Sequence, residues 1–154
     1  MAFLRRFAPV LVFTVLLAAC GEDDPTQPAD VVTIADFVGS WTATSLVYTN
    51  NADAGETFDL VAAGGEARFT MLDGGGTRTW IELGTFSDEW DSAASLQGDN
   101  IVMDPVEVGR ETRVWAYTLV NGVLTVTDTD SEFDFTLSDA PPVSATEVVV
   151  FVRN

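Results

Sequence analysis

The 154-residue sequence contains no histidine, no lysine and a single cysteine, Cys20. Without histidine there is no Ser-His-Asp triad and no imidazole metal ligand. Without lysine there is no Schiff base and no phosphate-loop cation. A lone cysteine has no disulfide partner within the chain. Basic residues are scarce as well: seven arginines stand against 24 acidic residues, a net charge of −17. So few cations cannot release the counterions of a phosphate backbone, so nucleic acid is not an expected partner. What the chain does have is apolar residues, 47% of the total, enough for one domain with a buried core and too many for a disordered chain.

Arg5 and Arg6 precede an apolar run from Phe7 to Ala19, interrupted only by Thr14. Its thirteen residues are fewer than the roughly 20 that a membrane-spanning helix needs, and they read as the hydrophobic region of an export signal. The run ends in Leu17, Ala18, Ala19, Cys20 and Gly21, which resembles the lipobox of bacterial lipoproteins. That resemblance implies cleavage before Cys20, a diacylglyceryl group on its sulfur and acylation of its new amino group. Several acyl chains anchor stably where one does not. It also implies a membrane partner reached through Cys20 and a place in the cell envelope. With Gly21 rather than aspartate after the cysteine, that place is the outer membrane if the cell has two.

Removing residues 1–19 takes away two arginines and no acid, so five basic and 24 acidic residues remain, a net charge of −19. Residues 20–35, with Glu22, Asp23, Asp24, Pro25 and Pro28, read as an acidic tether that holds the domain of residues 36–154 off the membrane.

That domain is expected to be all-β. Strands are expected near Gly39 to Thr49, Ala67 to Leu72, Thr77 to Leu83, Thr85 to Trp90, Asn100 to Asp104, Thr112 to Val120, Val123 to Asp128 and Thr146 to Arg153. Phe58 to Ala62 could add a ninth strand or a helical turn, and Glu132 to Leu137 another short strand. Asn121-Gly122 favours a type I′ hairpin, which sets Val120 opposite Val123, Leu119 opposite Leu124 and Tyr117 opposite Val126. One face then carries Trp115, Tyr117, Leu119, Leu124 and Val126, and it is assigned to the interior because a one-residue slip would put its rings in water. Composition leaves a sandwich and a closed up-and-down barrel equally open.

Gly39, Ser40 and Trp41 at the start of the first strand resemble the G-x-W entrance of lipocalins and of lipocalin-like domains in bacterial lipoproteins. The resemblance implies an eight-stranded antiparallel barrel. In it, Gly39 allows a tight entry, Trp41 plugs the closed end, and Arg153, near the end of the last strand, packs over the indole. The chain is expected to be a monomer whose barrel binds a small apolar or amphipathic molecule. The tentative ligand wall is Trp115, Tyr117, Leu119, Leu124 and Val126, with Tyr117 as a polar handle and a neutral or cationic ligand favoured by the charge. The other reading is a filled barrel that contacts another envelope component. Trp80, Trp90 and Trp115 could either fill the interior or line it.

No cofactor, metal or enzymatic site is expected. Asp128, Asp130, Glu132 and Asp134 alternate as calcium ligands can, but Phe133 stands where a calcium loop needs glycine, so they read as a solvated acidic segment. Gly74 to Gly76 read as a hairpin turn. Glu82, Asp88, Glu89 and Asp91 are close enough in sequence for paired acid-base work in principle, but no sequence argument sets their separation.

Overall fold

Alternation of large apolar with small or polar residues marks the segments after residue 38 that fold as strands. The computed structural model describes residues 31–138 and 140–154. Cys20, the leader and the tether up to residue 30 lie outside the described residues. Val32–Asn154 form one compact unit. They hold a complete closed sheet with its own core and so constitute a folding unit.

A 3-10 turn, Ile34–Phe37, leads into β1 (Gly39–Asn50), β2 (Thr57–Asp59), β3 (Glu66–Met71), β4 (Gly76–Leu83), β5 (Phe86–Gln97), β6 (Asn100–Pro105), β7 (Arg113–Val120), β8 (Val123–Phe133) and β9 (Val143–Arg153). Consecutive strands from β3 to β9 pair antiparallel, and β1 closes the sheet by pairing with both β3 and β9. The result is a closed eight-stranded antiparallel barrel, consistent with a lipocalin-like fold. β2 is a short addition that extends the β1 edge at Val47 to Thr49.

The eight expected strands are all present, several with different limits, whereas of Glu132 to Leu137 only Glu132 and Phe133 are strand, as the end of β8, because the Asp134 carboxylate turns the chain there. β5 runs seven residues past Trp90, to Gln97, because Ser92, Ala94 and Leu96 keep the inward alternation. β8 continues beyond Asp128 to Phe133 through an irregularity between Asp128 and Ser131. The segment at Phe58 is both things at once, a three-residue strand followed by a turn in which the Asp59 carboxylate accepts the Val61 and Ala62 amides. Ile34 and Ala35, counted with the tether in sequence, belong to the 3-10 turn, and Ile34 packs on the core.

The hairpin register is as expected, with Val120 opposite Val123, Leu119 opposite Leu124 and Tyr117 opposite Val126. Asn121 (φ 51°) and Gly122 (φ 77°) both take the left-handed conformation that a type I′ turn demands. Gly74 and Gly75 lie in the β3–β4 hairpin, as expected.

The two ends of the barrel differ. At one end the connections are tight hairpins, and the 3-10 turn lies across the opening. At the other end lie the longer segments 51–65, 106–112 and 134–142.

Candidate functional site

The closed end is built around Trp41, fully buried at the start of β1. Its Nε1–H donates to the Phe37 carbonyl at 2.8 Å, and the Arg153 guanidinium lies 4.5 Å from the centre of its ring. Arg153 also donates to the Asp36 carbonyl, so the last strand, the 3-10 turn and the indole are tied together. Thr33 N and Oγ1 donate to the Asp36 carboxylate and hold it below the usual carboxylate range. Gly39 has φ +133°, a backbone conformation that side chains rarely adopt. Gly39, Trp41 and Arg153 therefore meet at one point, where the chain enters the sheet.

Above this plug the interior is filled. Phe69, Trp115 and Phe151 pack as a ring cluster with centroids 5.5 to 6.4 Å apart, surrounded by buried Leu46, Met71, Ile101, Leu124 and Val149. This half contains the residues expected to form a ligand wall. Trp115, Leu124 and Val126 are fully buried in the packed core, and Tyr117 meets Phe37 edge to face at 5.0 Å beside the plug. Leu119, on the same inner face, is partly buried against that core. None of the five lines the open cavity. The expected face of the hairpin does point inward, but the hairpin lies at the closed end, where side chains fill the interior.

The cavity, about 1470 Å³, opens at the other end and spills over the rim onto the outer wall of β6 to β8. Its inner wall is set by strand ends. Tyr48 comes from β1, Ile81 and Leu83 from β4, Asp88 and Trp90 from β5, and Glu147 from β9. Trp90 lines this space, Trp115 fills the other half, and Trp80 lies outside, 5.0 Å below the Arg68 guanidinium.

Two sets of charges organise the mouth. Deeper in, Arg113 of β7 reaches Asp128 at 2.8 Å and Glu147 at 3.0 Å. Ser131 Oγ donates to Glu147 at 3.3 Å. Both carboxylates are almost fully buried, so they depend on this one guanidinium for neutralisation. The Tyr48 hydroxyl lies beside Glu147, and burial followed by that negative charge pushes its pKa well above the ordinary tyrosine value. Their attraction likewise raises the pKa of Arg113 against the opposing effect of burial.

Nearer solvent, Arg110 projects from the 106–112 segment onto β5. Its Nη1 and Nη2 donate to the two oxygens of Asp88 at 3.1 and 2.6 Å, and its Nε donates to Glu107 at 2.8 Å. The Arg110 hydrogen bond holds Asp88 below the usual carboxylate range. Both guanidiniums lie over Trp90, Arg110 at 5.3 Å and Arg113 at 5.9 Å from its ring centre. Phe86, Val106, Val108 and Leu137 stand exposed around the rim.

Sequence reasoning missed Arg113, Asp128, Glu147, Tyr48 and Trp90 as a group. A signal was present: extending the hairpin's alternation by two residues on each strand puts Arg113 and Asp128 on the inner face. The acidic segment differs from a calcium loop. Asp128 turns inward to Arg113, and the irregularity after it brings Ser131 inward. The Asp134 carboxylate accepts the backbone amides of Thr136, Ser138 and Ala140. Among the described residues no group of three or more acidic, histidine or cysteine side chains is arranged to hold a metal ion. No protein-family model matches the chain, and no curated protein or solved structure matches it.

Proposed function

We propose that this chain is an exported envelope lipoprotein, anchored through acylated Cys20, whose barrel binds or carries a small amphipathic molecule in its open half. The anchoring half of this reading rests on the leader and the Leu17 to Cys20 motif, with Gly21 favouring the outer membrane of a two-membrane cell. The binding half rests on one observation, the division of the interior. Eight strands enclose room for side chains or for one small guest. Here side chains pack the closed end, and toward the open end buried Trp90, Leu60 and Tyr48, the last stacked on Phe133 at 4.1 Å, line an aromatic and charged recess. Concave sites with apolar walls and a few convergent polar groups are the usual form of a ligand pocket.

The exposed apolar rim favours a second reading, a module that docks another envelope component with no small-molecule guest. Titration of residues 32–154 with a nitroxide-labelled amphiphile below its micelle concentration separates the two. Binding in the mouth quenches Trp90 fluorescence at one equivalent, and Trp90→Phe removes that quenched component while the buried Trp41 and Trp115 signals persist. No saturable quenching leaves the docking reading.

A further inference from the structure

The cavity and the rim it spills onto carry seven carboxylates and two guanidiniums, an excess of five negative charges, with Asp128 and Glu147 buried and Glu111, Asp130 and Glu132 exposed on the rim and outer wall. Neither guanidinium is free to receive an anion. Arg113 is committed to two buried carboxylates, and Arg110 to Asp88 and Glu107. The two cations are not equivalent, however. Arg113 belongs to a barrel strand, and its partners are buried at 4% and 3% exposure. Arg110 belongs to a surface connection, and its side chain and that of Asp88 are each about a third exposed.

Arg110 thus presents a positively charged head to an aromatic face and to a carboxylate at the mouth of an open cavity, from a segment that is not part of the sheet. Those are the elements that recognise an organic cation: a ring quadrupole for the charge, an acid for a directed contact, and apolar wall behind. We infer that the ligand is a cationic amphiphile, an amine or quaternary ammonium with an apolar tail, and that its head takes the place of Arg110 on Trp90 and Asp88. The inference rests on the binding reading above and names the chemical class of its ligand. The tail runs along Ile81 and Leu83, which line the same cavity. The 106–112 segment, once its guanidinium is displaced, is the part of the mouth that shifts on binding. Its Glu107 and Asp88 then have Arg110 and the ligand between them, so the exchange leaves neither of these two carboxylates without a cation.

The test uses three probes with one decyl tail, decyltrimethylammonium, decanol and decanoate, titrated into residues 32–154 at low salt. Decyltrimethylammonium should bind about tenfold more tightly than decanol, with decanoate weakest. Asp88→Asn should narrow the gap between the cationic and neutral probes. The sharpest arm is Arg110→Gln. If Arg110 occupies the ligand's place, its removal tightens decyltrimethylammonium binding several-fold. If Arg110 instead serves an anionic ligand, its removal weakens decanoate. Equal binding of all three probes, or decanoate binding lost with Arg110→Gln, overturns the cationic assignment and leaves the binding reading in place. Absence of binding by every probe overturns both. Thermal melts of both variants near that of the wild type establish that the comparison is made on folded protein.

Discussion

Replacing Arg113 with methionine isolates the most deeply buried electrostatic dependence among the described residues of the barrel. The substitution keeps the unbranched stem and removes the guanidinium, so Asp128 and Glu147 stay buried beside each other without a cation. Breaking a buried ion pair from one side costs about 3–5 kcal/mol. A domain of this size is stable by roughly 5–15 kcal/mol, so a large share of the total is lost. The midpoint of thermal unfolding should fall by roughly 10–20 °C. Glu147→Gln should cost less, because it leaves Arg113 and Asp128 as a one-to-one pair. Replacing all three charged residues together, Arg113→Met with Asp128→Leu and Glu147→Leu, should restore stability to within about 1–2 kcal/mol of the wild type, since the desolvation penalty disappears with the charges. Denaturant unfolding of all four proteins at pH 7 and fixed salt measures the series. A loss below about 1 kcal/mol for Arg113→Met would refute the reasoning, for it would mean that the two carboxylates do not need this cation.

Trp41→Ala should destabilise the domain by about 3–5 kcal/mol, the usual cost of removing a large buried aromatic, as read from denaturant melts. Tyr48 should contribute nothing to the tyrosinate ultraviolet band of the folded protein at about one pH unit above the ordinary tyrosine value near 10, so Tyr48→Phe should leave the amplitude of that titration unchanged. With the folded-state value raised, Tyr48's contribution to stability is complete below the unfolded value and is lost as pH rises above it. Asp88 behaves in the opposite sense. Its lowered pKa gives a contribution present above the unfolded value of about 3.8 and lost as pH falls through the lower folded one, so melting temperature should decline less steeply in acid for Asp88→Asn. Cys20→Ser should abolish labelling by a fatty-acid probe, and unchanged labelling would exclude the anchor.

Fold and site differed in how far they could be read from the sequence. The strands were legible because period-two alternation and turn residues are local signals, and the Asn121-Gly122 hairpin specified its own register. Closure was not, since the pairing of β1 with β9 joins segments about 100 residues apart and has no local mark. It entered only through the resemblance carried by Gly39 and Trp41. The site was half legible. The inward face of β7 and β8 followed from alternation, but which end of the barrel stays open depends on where the bulky rings accumulate. Trp41, Phe69, Trp115 and Phe151 come from four strands to fill one end, and their meeting is a property of the closed sheet. Loop length was the usable clue, because the segments 106–112 and 134–142 are longer than the hairpins at the plugged end.

Native mass spectrometry of the full-length protein purified from the cells that make it tests the central claim, that the open half of the barrel holds a small molecule, most directly. The account predicts a population heavier than the acylated chain by the mass of one small guest, released when the domain unfolds and reduced by Trp90→Ala. Only the acylated, guest-free mass, in the wild type and the variant alike, would contradict it.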